Sequence, residues 1–309
     1  MDNFDLSLFI NTGNSVYNDE IRKFISKNIS DWFADSEIFS RMDDSENFLR
    51  VFDEWIQSSE LNSTRGLDSF IHRDASLGVT QSLDQFHYDI LAKNRRLRVF
   101  RGEYPYSRDV HPFSYEDGFI DDHPLEENDA VILSCPFSGS GSLHPKTPWL
   151  LNECSRLGVP VFIDMAWFGT CAGIDIDLSH PAITQVAFSL TKGLTCGNYR
   201  CGIRYSKEYI TESRRDRLNL QTEWNHGVHL NQFIGINLMH NFSPDYHFQK
   251  FRPYQIQVCK EWDLTPSHCV HIATSTDPKW KQYERDGAYL RINLREAIKK
   301  QVKAARKSS

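Results

Sequence analysis

The stretch Phe188 to Ser206, FSLTKGLTCGNYRCGIRYS, holds a single lysine, Lys192, three residues after Ser189 and eight before Arg200. It continues directly from Ile183 to Leu190, an apolar, β-leaning run that reads as a buried strand. A lysine just past such a strand is placed to act as an amine nucleophile, provided that its surroundings remove its proton. The unperturbed pKa of ~10.4 leaves little free amine at neutral pH, and burial beside a second cation such as Arg200 pushes it down. Two further features follow apolar runs of the same kind. Asp164 lies near the end of VPVFIDMA, and PFSGSG (136–141) begins where AVILSCP ends. The sequence holds no GxGxxG, GxxxxGK[ST], GxSxG or HExxH. Cys196 and Cys201, five apart, suit neither a zinc knuckle nor a redox pair. A lysine, a carboxylate and a phosphate-compatible loop at one crevice leave Schiff-base chemistry, in which the lysine amine condenses with a carbonyl.

The elements that must position these residues are regular in the middle of the chain. Ala130 to Pro136, Val159 to Ala166 and Ile183 to Leu190 are apolar throughout, and between the first two TPWLLNECSRLG reads as a helix. That helix has Thr147 as N-cap, Pro148 at its first position and Gly158 past its end. Upstream, SLGVTQSLDQFHYDILAKN reads as a turn feeding a helix, followed by a strand in RLRVFRG, and the first 60 residues hold two amphipathic helices. Apolar strands separated by helices imply a parallel sheet covered on both faces, with the functional crevice beyond the strands' carboxyl ends. PFSGSG, Asp164 and the Ser189/Lys192 pair are therefore expected to converge. The fold expected is α/β: a three-layer, mostly parallel central sheet with helices on both faces, plus a smaller α+β domain. Residues 1–60 form a helical segment packing with the small domain, 61–210 the large domain and 211–309 the small one, whose last strand is AYLRINL.

Over roughly Gly78 to Arg204, with one more piece near Arg291, the chain resembles the fold-type I pyridoxal-phosphate enzymes of the aspartate aminotransferase-like (class I/II) kind. The family's S-x-x-K, followed by an arginine eight residues on, corresponds to Ser189, Lys192 and Arg200. The resemblance makes Lys192 the Schiff-base lysine of pyridoxal 5′-phosphate, with Ser189 and Arg200 on the cofactor phosphate. D-x-A-Y corresponds to DMAW and places Asp164 under the pyridine nitrogen, while GVTQSL resembles the phosphate-binding turn, with Gly78, Val79 and Thr80 as donors. GEYPY resembles P-x-Y-P-x-Y and puts Tyr104 over the ring. YLRINL resembles the late strand whose arginine, here Arg291, grips the substrate carboxylate. Two positions depart from the pattern: the loop P-N-N-P-T-G is PFSGSG, with Ser138 at the ring-hydroxyl contact, and the tyrosine sharing that contact is Trp167. The function implied is an aminotransferase acting on an α-amino acid and a 2-oxo acid. The altered pair keeps open a decarboxylase, lyase or racemase on the same cofactor, and a non-catalytic relative is the remaining alternative. The resemblance also implies a homodimer.

The rest of the chain narrows the classes. With 309 residues, 40% hydrophobic and 25% charged, it reads as an ordinary globular protein with a sizeable core. A net charge of -6 without a basic face argues against nucleic acid as partner, and the basic KKQVKAARKSS reads as a solvated helix end. No apolar run reaches membrane-spanning length and the N-terminus lacks the features of a secretory signal, so no membrane association and a cytoplasmic location are expected. Seven cysteines without disulfide-like spacing read as reduced, mostly buried thiols, and no metal site is expected.

Overall fold

The computed structural model describes residues 6–10, 12–34, 45–207, 216–223 and 229–308. Its central sheet has six strands: β1 (His72–Ser76), β2 (Arg96–Arg98), β3 (Asp129–Ser134), β4 (Val161–Met165), β5 (Ile183–Ser189) and β6 (Gly202–Ser206). They lie in the order β1-β6-β5-β4-β3-β2, with β2 to β5 mutually parallel and β6 antiparallel to both neighbours. The apolar runs became strands with both faces buried, and alternate side chains feed two different cores. Ala130, Ile132 and Phe162 pack with Leu83, Phe86 and Ile90 of helix α3 (Val79–Ala92). Val131, Leu133 and Ile163 point the other way, into a core shared with α1 (Asp19–Ala34), α2 (Ser45–Gln57) and α4 (Thr147–Leu157). The architecture is thus the three-layer α/β sheet expected from the sequence.

α4 ends as read, with Gly158 left-handed at φ 65° and its N–H turned back to Cys154 O. Its start differs. Thr147 is the first helical residue and Lys146 the N-cap, no side chain caps the first turn, and the Thr147 hydroxyl donates to His144 O at 2.7 Å. All seven cysteines are free and buried, and the basic C-terminal run is the solvated end of the last helix. No helix among the described residues is long and apolar enough to cross a membrane.

Beyond the central sheet, β7 (Thr265–Pro266), β8 (Ile272–Thr274), β9 (Glu284–Arg285) and β10 (Tyr289–Asn293) form an antiparallel sheet in the order β9-β10-β8-β7. It shares a separate apolar cluster with the preceding helix Tyr246–Trp262 and the following helix Arg295–Ser308. At its centre Trp280 is fully buried, with Phe9 of the N-terminal segment edge-on at 4.9 Å. The N-terminal helices contribute to the large core, where Trp55 of α2 meets Phe168 and donates its indole N–H to Phe242 O at 2.8 Å.

β1 and β6 are locked by charge as well as by their ladder. Arg204, fully buried, donates through Nη2 to Asp74 Oδ2 and through Nη1 to Asp216 Oδ2, both at 2.6 Å, and Asn219 caps the other Asp74 oxygen at 2.7 Å. Removing one partner of such a group strands the other charge in the interior. Arg204→Met is expected to cost about 3–5 kcal/mol in urea unfolding. The double replacement Arg204→Met with Asp74→Leu should recover part of that loss, because one of the two carboxylates left uncompensated is gone.

Candidate active site

A cavity of about 450 Å³ opens at the carboxyl ends of β3, β4 and β5. The strand register explains why: Ser134 lies opposite Asp164, and Asp164 opposite Ala187, so the three strands end side by side. Lys192 leaves β5 three residues after Ser189 and enters the cavity, its Nζ 5.2 Å from the centre of the Trp167 ring and 5.8 Å from that of Tyr104. Its loop is fixed by a backbone crossing. A Cβ on Gly193 would stand 2.8 Å from Gly169 Cα, so the Lys192 loop and the turn after Trp167 touch without any side chain between them. Burial pushes the Lys192 amine down to about 8; Asp164 and Cys269 oppose that shift, whereas Arg291 and Arg200 add to it. Asp164 is itself buried, which raises its carboxyl, while Lys192 and the Ala166 N–H (2.8 Å) hold it down.

A second group of residues gathers where α3 begins. Gly78, at φ 102°, precedes the first residue of this 14-residue helix, and a Cβ there would lie 3.1 Å from Ser189 Oγ and 3.8 Å from Arg200 Nη2. Only glycine combines that backbone with so close an approach. The Arg200 guanidinium donates to Thr80 Oγ1 at 3.1 Å, and the Ser189 and Thr191 hydroxyls are 2.8 Å apart. Hydroxyls, a guanidinium and the free N–H groups of a helix start form a cradle suited to a phosphate dianion. Val79 completes the wall beside Thr80. These residues fit pyridoxal phosphate: a cradle that a Cβ would fill, a lysine amine within the cavity and a buried carboxylate that interacts with it.

The loop PFSGSG lies along the opposite wall. Ser138 is held by its backbone, its N–H donating to Ser134 Oγ at 2.9 Å and its carbonyl accepting from Arg291 Nη1 at 3.2 Å. Behind it, Glu103 is fully buried and accepts from Ser134 Oγ, from Ser134 N–H and from Tyr104 N–H. Burial raises the Glu103 carboxyl to about 7 against those three donors. Trp167 faces the cavity, but its indole N–H donates to Gly13 O at 3.2 Å. That donor is therefore satisfied within the protein rather than free for a ring hydroxyl. Arg291, 1% exposed, has no partner for Nε or Nη2, and burial lowers its guanidinium to about 9.

The candidate site residues expected from the sequence line one cavity, except Gly78, which lies behind it against Ser189 and Arg200. The structure adds others that sequence reasoning missed. Thr12, Gly13 and Asn14 reach in from the N-terminal segment, held by Asn293 Nδ2 on the carbonyls of Thr12 (2.7 Å) and Asn14 (3.0 Å). No local pattern marks them, because a partner about 280 residues away places them. Thr191 and Arg285 also line the cavity. Thr191 sits inside the S-x-x-K motif, and Arg285 ends β9 six residues before Arg291, a signal available in the sequence.

Two titrations check this electrostatic picture. With its amine near 8, about a tenth of Lys192 is unprotonated at pH 7, against less than ~0.1% for an ordinary lysine. Competitive acylation followed by mass spectrometry should show Lys192 reactivity rising through pH 8. Asp164→Asn should move that inflection lower, because the charge that holds the ammonium is lost; an inflection near 10 would contradict the site. Glu103 works on stability. Its folded value lies above that of an unfolded carboxyl, so the stability it contributes is present below about pH 4.5 and lost as pH rises through about 7. The difference in urea unfolding between the parent and Glu103→Gln should change across that window; a constant difference would contradict it.

The chain matches no family model and no curated protein. Among solved structures it is similar to the tyrosine aminotransferase of Leishmania infantum, with 11% identity over 94% of this chain and 93% of that one at a TM-score of 0.62. It is also similar to the alanine aminotransferase of Pyrococcus furiosus, with 17% identity over 84% and 72% at 0.56. The L-threonine-O-3-phosphate decarboxylase of Porphyromonas gingivalis shows 12% identity over 96% and 98% at 0.58. The chain has the fold of the aspartate aminotransferase-like, fold-type I enzymes.

Proposed function

We propose that the chain is a pyridoxal-phosphate-dependent aminotransferase acting on an α-amino acid and a 2-oxo acid. The observation that carries this reading is a lysine amine brought to about 8 beside a buried carboxylate, in a cavity that also holds a phosphate-compatible cradle. In this reading Ser189, Thr80 and Arg200, with the N–H groups after Gly78, hold the cofactor phosphate. Asp164 keeps the ring nitrogen protonated, and Tyr104 and Trp167 bound the ring. Pyridoxal phosphate, attached through Lys192, supplies an electron sink for the charge that develops at the substrate Cα. Arg291 binds the substrate carboxylate through the two nitrogens that lack protein partners, which fixes the orientation of Cα. Lys192 Nζ would be the base for the Cα proton, a role that an amine near neutrality performs well. Ser138 and Gly13 shape the wall between these groups. The reading carries with it a cytoplasmic homodimer and a division into large (61–210) and small (211–309) domains, with residues 1–60 packing on the latter.

A decarboxylase, lyase or racemase on the same cofactor is the second reading. Its support is Trp167, whose only N–H is spent on Gly13 and so leaves the ring hydroxyl with fewer donors than a tyrosine and an asparagine would give.

Purified protein with added pyridoxal phosphate should develop a visible absorbance band that borohydride fixes, and Lys192→Ala should not. An amino donor alone should bleach the band. No band in the parent would remove both readings. Release of carbon dioxide or ammonia without an oxo-acid acceptor would favour the second over the first.

A further inference from the structure

Arg291 is a buried cation, and among the described residues no carboxylate touches it. Its guanidinium is held by the Ser138 carbonyl, on Nη1 at 3.2 Å, and by the face of Trp167, 6.0 Å from Cζ. Glu103 is the opposite case: a fully buried carboxylate that makes no ion pair among the described residues. A buried charge of either sign is costly without compensation. The two are joined through Ser138 and Ser134.

Each link in that connection has one possible direction. A guanidinium only donates, so Arg291 donates to Ser138 O. The Ser138 N–H donates to Ser134 Oγ at 2.9 Å, and the Ser134 hydroxyl donates to Glu103 Oε1. The other bonds to Glu103 come from the N–H groups of Ser134 and Tyr104, both at 2.7 Å. Glu103 therefore meets donors only, a pattern that suits a carboxylate and offers no acceptor to a carboxyl proton. All three links run from the cation to the anion, and breaking any one leaves a buried polar atom without a partner. The connection also keeps one edge of Arg291 open. Nε and Nη2, which lack partners, share a side of the guanidinium and are spaced for the two oxygens of a carboxylate. A carboxylate in direct contact would compete for that edge, whereas one acting through Nη1 and two serines does not.

We propose that Glu103 is a positioning residue for Arg291, acting through Ser134 and Ser138 to hold the open guanidinium edge toward an incoming carboxylate. This rests on the reading of Arg291 as the residue that binds the substrate carboxylate. Ser134, Ser138 and Arg291 line the cavity, and Glu103 stands behind them outside its lining.

The test is calorimetric titration of the full-length chain, without added cofactor, with propionate and separately with inorganic phosphate, which the cradle at Arg200 takes. It is run at pH 8, above the value of about 7 to which burial raises Glu103. Glu103→Gln turns an NH2 group toward a donor, Ser134→Ala removes the middle link but keeps the Glu103 charge, and Ser134→Thr restores the hydroxyl. Propionate should bind at least about fivefold more weakly to Glu103→Gln and to Ser134→Ala, and within about twofold of the parent to Ser134→Thr. Phosphate affinity should stay within about twofold throughout. If Glu103 acted by its charge alone, Glu103→Gln would strengthen propionate binding and Ser134→Ala would not change it; either result overturns the proposal. A parallel loss of phosphate binding, or a parent that does not bind propionate, also overturns it. In the cofactor-loaded protein, Glu103→Gln should raise the amino-donor concentration for half-bleaching at least about fivefold with the limiting rate within about threefold. An effect confined to the rate overturns the proposal. Absence of any band in the parent defeats the functional reading alone, since the propionate result is independent of the cofactor.

Discussion

Ser134, Asp164 and Ser189 close three neighbouring strands, and the register of β3, β4 and β5 fixes where each can reach. Because side chains alternate along a strand, a slip of one residue would turn Asp164 into the apolar core and bring Ile163 or Met165 to its place. The register is held from both sides of the sheet, since alternate residues of β3 and β4 belong to two separate cores. Either slip would bury the wrong face against both. The rigidity that positions the cavity is therefore a by-product of packing away from it, and the loops beyond the strand ends inherit their spacing from the sheet.

The loops are held by contacts of a different kind. Gly193 and Gly169 meet backbone to backbone, which leaves the Lys192 loop little freedom relative to the Trp167 turn. Glu103 anchors Ser134, and Ser134 in turn anchors Ser138. Asn293 ties the 12–14 segment to β10. Each loop is thus joined to an element that the large or small sheet already fixes.

Burial is the dominant electrostatic influence at the site, and it acts on both signs of charge. It lowers Lys192 and Arg291 and raises Asp164 and Glu103, so that groups fully ionised in water are brought closer to exchanging protons. Arg204 shows the alternative. It is equally buried, but two carboxylates face it, and the charges persist as a structural lock between the strands that carry Gly78 and Arg200 to the cradle. Unpaired charge marks the cavity, and paired charge marks the frame.

Much of this was legible in the amino-acid sequence. The apolar runs at 130–136, 159–166 and 183–190 could be buried only as strands covered on both faces, and the positions of Ser138, Asp164, Ser189 and Lys192 at their ends followed from that. The glycine at the start of α3 and the arginine eight residues after Lys192 were likewise visible, because local backbone demands and short spacings are written in local sequence. Tertiary structure alone decided the rest. Trp167 reads as a donor toward a ring, yet its N–H goes to Gly13. Thr12 to Asn14 and Glu103 owe their roles to partners brought together by folding. A hydrogen bond satisfied by a residue hundreds of positions away, or a charge left without one, has no local signature, because what determines it is the surroundings that the whole fold assembles.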